Sequence, residues 1–218
     1  MKVLITGTSR GMGRETAIKF LNEGHEVIGL DISDPTITHD SYIHYTADIS
    51  NNDTLPDIKD VNILINNAGV ENSTRDIEIN LKGVMYCTIK YALNNPNIKA
   101  VVNQASSAAS TGSDFGEYVA SKGGVVAYTK WTAKEIAKYG ATCNSISFGG
   151  VLTDLNWSVI NDANSWKKIM KMTPMNKWAT ATEAADWIYF LSVINKSCTA
   201  QDIVIDNGEM YNHQFIWT

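Results

Sequence analysis

Short runs rich in Val, Ile and Leu alternate along this chain with segments of helical length, and that alternation limits the possible folds more than any single motif does. The strand candidates are Lys2–Thr6, Glu26–Leu30, Tyr42–Thr46, Val61–Ile65, Lys99–Gln104, Thr142–Ser147 and Asp202–Ile205. Between them lie the helix candidates Met12–Glu23, Ile77–Leu93, Tyr118–Tyr139, Asn164–Met172 and Thr182–Val193. Near-continuous apolar strands are what a sheet covered on both faces requires. The pattern therefore predicts an α/β fold, a doubly wound parallel sheet of about seven strands with helices on both faces and right-handed crossovers. The segments Pro56–Asp60 and Val70–Asp76 are short for full crossover helices, so those connections should be trimmed. No repeat, low-complexity stretch or Pro/Gly linker divides the 218 residues, and the four prolines fall in predicted connections, so the chain reads as one domain.

Composition narrows the function classes. With 44% hydrophobic and 19% charged residues, neither disorder nor a disulfide-stapled miniature fold is expected. Lys plus Arg is 18 and Asp plus Glu is 23, a net charge of −5 with no basic run, which argues against nucleic acid as a partner. Cys87, Cys143 and Cys198 are far apart, in no spacing with histidine that suits zinc, so they read as reduced, buried thiols and no metal is expected. No run of about 18 apolar residues could span a bilayer, and the first residues lead directly into a strand-like segment. A cytoplasmic protein with no membrane partner is the expectation.

The first strand ends in Thr6-Gly7-Thr8-Ser9-Arg10-Gly11-Met12-Gly13, and a helical pattern begins at once. Strand, glycine turn and helix in that order form an anion cradle: Gly7 permits the tight turn, Gly11 and Gly13 allow close backbone approach, and the helix amino terminus offers free amides to a pyrophosphate. The next strand leads into Asp31, 18 residues beyond Gly13, close to the ~20-residue offset at which an acid meets the adenosine ribose hydroxyls. An Asp there suits NAD and would repel the 2′-phosphate of NADP. Arg10, beside the turn, could bind that phosphate. We weight Asp31 more heavily, because forcing a carboxylate against a phosphate costs more than leaving an arginine to turn to solvent or pair with Asp31.

These glycines resemble the motif of the short-chain dehydrogenase/reductase family, and further strings in family order extend the likeness over nearly the whole chain. Asn66-Asn67-Ala68-Gly69 follows the fourth strand, Asn80 opens Asn80-Leu81-Lys82-Gly83-Val84, and Tyr118-Val119-Ala120-Ser121-Lys122 supplies Tyr-x-x-x-Lys. The segments Asn144–Thr153, Thr173–Glu183, Phe190–Ser192 and Asp206-Asn207-Gly208 are similar to those of 3-oxoacyl reductase-like members. The resemblance implies a single NAD(P)-binding Rossmann domain over 1–218 with a substrate lid at about 152–175. It also implies cofactor contacts at Gly7, Ser9, Arg10, Gly11, Met12, Gly13, Asp31, Asp48, Ile49, Asn67, Ala68, Gly69, Tyr118, Lys122, Val151 and Thr153. Within that set, Asp48-Ile49 would contact adenine and Val151 and Thr153 the nicotinamide carboxamide.

A helix places Tyr118 and Lys122, four apart, on one face. A free tyrosine, with a pKa of about 10, is a reluctant acid-base catalyst at neutral pH, and a nearby ammonium favours its phenolate. The resemblance further implies that Ser106 holds the substrate oxygen. Ser106 stands 12 residues before Tyr118 where the family has about 13, so Ser107 is the fallback. Asn80 would hold a helix kink and a water linking Lys122 to solvent. The implied reaction is reversible hydride transfer between NAD(H) and a secondary alcohol or ketone. Two alternatives compete with it. A non-catalytic dinucleotide-sensing or scaffold protein on the same fold would be expected to lose the Tyr/Lys pair, and for a nucleotide-sugar enzyme of the extended type the chain is too short.

The segment 152–172 carries Leu155, Trp157, Val159, Ile160, Trp166, Ile169, Met170 and Met172, which suits an apolar lid. Trp166, Ile169 and Met170 could equally pack a short helix onto the core. Lys167, Lys168 and Lys171 could reach an anionic carrier. The helix at 118–139 is apolar around much of its circumference, and in the family it and the helix near Asn80 form the subunit interface, so a homodimer or homotetramer is expected. The tail Phe215-Ile216-Trp217 supports contact with a neighbour or with its own pocket. Three departures from the family pattern, Phe148 for proline, Asn207 for glycine and Ala200 for glycine, put the nicotinamide end and the carboxyl-terminal lid in question.

Overall fold

The computed structural model describes residues 1–113 and 115–211. Seven parallel strands form one sheet: β1 (Lys2–Thr6), β2 (Glu26–Asp31), β3 (Tyr42–Thr46), β4 (Ile63–Asn66), β5 (Ala100–Gln104), β6 (Thr142–Phe148) and, last in the chain, Asp202–Ile205, numbered β9 after the two short strands below. Their order is β3-β2-β1-β4-β5-β6-β9. The order reverses between β1 and β4, so the loops leaving these neighbours diverge and open a crevice at the carboxyl edge of the sheet. The predicted strands are all present, with ends moved by a residue or two: the fourth spans Ile63–Asn66 and the fifth starts at Ala100.

Helices cover both faces. On one face α1 (Gly11–Asn22) and α7 (Ala181–Tyr189) bury Ala17, Phe20, Leu21, Ala184 and Ile188 against Val3, Ile5, Ile63 and Ile65. On the other, a helical run from Ile77 to Leu93 and the long helix α4 (Gly116–Ile136) bury Cys87, Tyr91, Ala133 and Ile136 against Leu4, Leu64 and Val101. Burying each of the Phe, Leu, Ile and Val side chains among these contributes about 1.5–3 kcal/mol. The run at 77–93 is α-helical only at α2 (Val84–Thr88); Ile77–Gly83 and Ile89–Leu93 are π-helical. The helix expected at 118–139 begins two residues earlier and ends in a 3-10 turn over Ala137–Tyr139. The trimmed connections are as expected: residues 56–60 and 70–75 lie outside every helix and strand.

Four small elements were not foreseen. These are α3 (Ala108–Thr111), α5 (Trp157–Ile160) and the parallel pair β7 (Val151–Leu152) and β8 (Ala179–Thr180). The segment between that pair contains α6 (Ala163–Met172), capped by Asp162, whose carboxylate accepts from the amides of Asn164 and Ser165. Trp166 of α6 meets buried Trp178 edge-on at 5.2 Å, so the helix does pack inward at that point. Cys87 and Cys143 are buried as expected, whereas Cys198 is only partly so because it sits in the loop before β9. The tail at 215–217 lies outside the described residues. Among the described residues no helix is long and apolar enough to cross a membrane.

Ala200 and Asn207 both adopt left-handed φ, 60° and 55°. Asn tolerates that region and alanine does so at a cost of about 1–2 kcal/mol. Phe148 is buried at the end of β6, and its carbonyl accepts from Ser107 N at 2.9 Å.

Candidate functional site

The crevice is held open by side chains of the strands below it. Thr6 Oγ1, at the end of β1, accepts the amides of both Asn67 and Ala68 at 3.0 Å, and Asn67 Nδ2 donates to the carbonyls of Thr6 and Gly7. One layer down, Asn66 Nδ2 donates to Asn103 Oδ1 at 2.8 Å and Thr88 Oγ1 at 3.1 Å, while Asn103 Nδ2 donates to Thr129 Oγ1 at 2.9 Å. This buried chain of amides ties β4 and β5 to the two helices on that face.

The glycine turn is as tight as its sequence implies. A Cβ on Gly13 would lie 2.0 Å from the Gly7 carbonyl oxygen and 2.3 Å from Asn67 Nδ2, so only glycine fits there. Arg10 is the residue before α1 and makes no side-chain cap, which leaves the first-turn amides of a helix facing the cavity at Gly11 and Met12. An uncapped helix start and a turn that admits no side chain fit an anionic dinucleotide, and the buried Asn67 Oδ1 with no partner fits one of its hydroxyl donors. Asp31, at the end of β2, accepts from Ser9 N at 2.9 Å and Ser33 N at 3.0 Å. Both oxygens are thereby fixed at the cavity wall, which Arg10 also lines.

At the other end of the same cavity stand Gln104, Tyr118 and Lys122. The Lys122 ammonium lies 5.6 Å from the centre of the half-buried Tyr118 ring and donates to the Gln104 carbonyl at 3.2 Å. Lys122 is 3% exposed. Burial pulls its pKa down from 10.5 to about 8, against the opposing pull of the Glu71 and Asp76 charges. Asn80, inside the π-helical turn, grips Val70 by both backbone groups: Oδ1 accepts Val70 N at 2.8 Å and Nδ2 donates to Val70 O at 2.9 Å. Nδ2 also donates to Ser121 Oγ at 3.1 Å, next to Lys122 in α4. Between them runs Gly69, where a Cβ would sit 3.0 Å from Asn80 Oδ1 and 3.5 Å from Lys122 Nζ.

Most of the sequence-predicted residues converge here. Gly7, Arg10, Gly11, Met12, Asp31, Asp48, Ile49, Asn67, Ala68, Gly69, Tyr118, Lys122 and Thr153 line the cavity. Ser9, Gly13, Asn80 and Ser106 stand outside that lining; the first three act on it through the contacts above. Ser106 is buried, with its Oγ accepting Ala108 N at 3.2 Å. Val151 belongs to the core, its carbonyl taken by Asn156 Nδ2 at 2.8 Å. Sequence reasoning missed Gln104, Arg75 and Glu71. Gln104 was recognisable as the end of its strand, whereas Arg75 and Glu71 lie in a connection whose path no motif announces.

Comparisons with known proteins bear on the family. A family model described as enoyl-(acyl carrier protein) reductase matches residues 7–209. The glucose 1-dehydrogenase of Gluconobacter oxydans is 29% identical over 95% of this chain and 91% of its own length. The 3-oxoacyl-[acyl-carrier-protein] reductase FabG of Staphylococcus epidermidis is 28% identical over 95% and 98%. The aldohexose dehydrogenase of Thermoplasma acidophilum superposes with a TM-score of 0.86 at 26% identity, covering 100% of this chain and 96% of that one. Two further similar structures, each 25% identical, hold different cofactors. A 4-hydroxyisoleucine dehydrogenase is complexed with NADH (TM-score 0.82, 95% of this chain and 98% of that one), and ElxO has NADP bound (TM-score 0.84, 96% and 98%). With the glycine cradle, the Asn-Asn-Ala-Gly loop and the Tyr/Lys pair gathered round one cavity, the chain belongs to the short-chain dehydrogenase/reductase family of oxidoreductases.

Proposed function

We propose that this oxidoreductase interconverts a secondary alcohol and the matching ketone with NAD(H) as its preferred cofactor. The observation that carries the reading is the placement of Tyr118 and Lys122 in the same cavity as the uncapped start of α1. Gly11 and Met12 would hold the pyrophosphate through their amides, Asn67 Oδ1 would accept from a cofactor hydroxyl, Asp31 would hold the adenosine ribose, and Lys122 the nicotinamide ribose. When bound, the cofactor supplies or accepts the hydride. Tyr118 exchanges the proton with the substrate oxygen, and the Lys122 ammonium stabilises the phenolate that this leaves. Ser106 is buried just outside the cavity lining, two residues beyond the cavity-lining Gln104; its Oγ accepts the Ala108 amide and keeps its own proton to donate to the same oxygen. Asn80 acts as a positioning residue by fixing Val70 beside Lys122.

Cofactor choice turns on Asp31 against Arg10. The Asp31 carboxylate is locked by two amides and would meet a 2′-phosphate at close range, while Arg10 is exposed and free to turn outward. Over the cavity, residues 152–175 form the substrate lid. Leu155 lines the wall, and Leu155, Trp157 and Met175 are about 60% exposed, an apolar surface for a substrate to cover. A homodimer or homotetramer is supported by exposed apolar side chains on the two helices involved, Ile89 and Trp131.

A non-catalytic dinucleotide sensor would leave the buried ammonium beside Tyr118 without a task, since a cost of burial is met where a charge is used. The test is incubation with NADH and a panel of 3-oxoacyl, steroid and sugar carbonyl compounds, and with NAD and the matching alcohols, following absorbance of the reduced nicotinamide. Turnover with NADH above that with NADPH is expected. NADH binding without turnover on the whole panel would favour the sensor.

A further inference from the structure

The turn that carries Asp31 is held from outside by a side chain with no part in the chemistry above. Strand β2 leads into β3 without a helix, and Ile32, Ser33 and Asp34 are exposed, so little packing fixes this turn. Ser33 is instead gripped at both backbone groups. Its amide donates to Asp31 Oδ1 at 3.0 Å, and its carbonyl accepts from Ser9 Oγ at 3.3 Å and from His44 Nε2 at 3.0 Å. The bond from His44 is the shorter of these two and comes from the neighbouring strand β3.

A carbonyl oxygen only accepts, so Nε2 carries the imidazole proton and, in the neutral ring, Nδ1 is an acceptor. Tyr42 Oη, 3.1 Å from Nδ1, therefore donates to it and accepts in turn from Thr8 Oγ1 at 2.8 Å. The chain Thr8, Tyr42, His44, Ser33 thus runs in one direction, from a fully buried hydroxyl at the glycine turn to the turn at Asp31. Side chains two apart on a strand share a face, which puts Tyr42 and His44 together. Strand β2, which lies between, makes room for them: a Cβ on Gly29 would lie 2.2 Å from Tyr42 Oη and 2.4 Å from Thr8 Oγ1. A glycine in the middle of a strand weakens it, and here it lets the phenol cross to Thr8. The two Asp31 oxygens are set by the amides of Ser9 and Ser33, and His44 fixes the second of those residues.

Resting on the cofactor reading above, we propose that His44 is a positioning residue for cofactor choice: through the Ser33 carbonyl it holds the turn in which Asp31 meets the adenosine ribose and opposes a 2′-phosphate. The experiment measures dissociation constants of NADH, NADPH and reduced nicotinamide mononucleotide by nucleotide fluorescence. The proteins are wild type, His44→Asn, His44→Gln, Asp31→Ala and the double variant Asp31→Ala, His44→Asn. An asparagine amide stops at the reach of Nδ1, whereas a glutamine amide extends to that of Nε2. His44→Asn should weaken NADH about three- to tenfold, the scale of one hydrogen bond, leave the mononucleotide within about twofold and narrow the preference for NADH over NADPH. His44→Gln, with an N–H donor again at Ser33, should bring NADH back to within about twofold of wild type. With Asp31 already replaced, His44→Asn should change neither dinucleotide by more than about twofold, because it acts through that carboxylate. Equal losses for NADH and the mononucleotide, Asn and Gln variants that behave alike, or the same loss with and without Asp31 would each overturn the inference and leave the cofactor reading intact as long as wild type prefers NADH. A wild type that prefers NADPH would overturn both.

Discussion

The Lys122 ammonium lies 5.6 Å from the centre of the Tyr118 ring while being 3% exposed, so a charge is held out of water beside a phenol. The four-residue spacing on α4 brings the two side chains to one place, and the Gln104 carbonyl at 3.2 Å compensates only part of the lost hydration. A protein that keeps a buried ammonium at such a point gives up stability for chemistry, and the first two predictions measure that exchange.

Lys122→Met should abolish turnover and stabilise the fold. The folded-state pKa of about 8 lies below the ordinary 10.5. Below about pH 8 both folded and unfolded chains carry the proton and the full burial cost is present. Between about 8 and 10.5 the unfolded chain binds more protons, so wild-type stability rises with pH. The shift corresponds to about 3 kcal/mol at most, so the variant should be more stable than wild type by about 1–3 kcal/mol at pH 7. Denaturant unfolding at pH 7 and pH 10 checks this: the advantage of the variant should shrink at the higher pH.

The same titration should appear in kinetics. With a free-enzyme Lys122 pKa of about 8, kcat/KM for carbonyl reduction should fall above about pH 8. Glu71 and Asp76 both favour the charged form, so Glu71→Gln should move that alkaline limb to lower pH. A pH profile of kcat/KM for both proteins is the measurement.

Asp31→Ala removes the carboxylate that meets Ser9 N and Ser33 N at the edge of the cavity. NADH binding should weaken and NADPH binding should strengthen, narrowing the preference by about tenfold or more. Fluorescence titration with the two reduced cofactors reads this directly. A wild-type preference for NADPH would place Arg10 above Asp31.

Ala200 stands at φ 60° with its amide bonded to the Cys143 carbonyl at 2.8 Å. Ala200→Gly should relieve the left-handed strain and raise stability by about 0.5–1 kcal/mol, the larger freedom of the unfolded glycine offsetting the rest. Thermal unfolding of the variant tests it.

What could be read from the sequence was what short-range pattern dictates. The β1 strand, the glycines through Gly13 and the start of α1 are contiguous, and Tyr118 and Lys122 are one turn apart, so periodicity and spacing suffice. The pair β7–β8 was illegible because it joins Val151 to Ala179 by two residues a side, too short for any alternation to register. Asn80 was legible as a residue but not as the clamp on Val70, which depends on a π-helical turn whose sequence reads as ordinary helix. Arg75 was hidden for a related reason: its partner Asp48 is 27 residues away, across a polar loop without periodicity. The spacing to Tyr118 left Ser107 as a fallback to Ser106, and both lie past the end of β5 at Gln104, where the alternation of a strand no longer distinguishes neighbours.

The central claim, that the Tyr118 phenol moves the proton in a cavity built for a nicotinamide dinucleotide, is tested most directly by Tyr118→Phe on the first carbonyl substrate that wild type turns over. Single-turnover reduction with NADH should fall by about 10²–10⁴-fold, the usual contribution of a positioned acid, while the dissociation constant for NADH stays within about threefold of wild type. Reduction at the wild-type rate with the phenol removed would contradict the account.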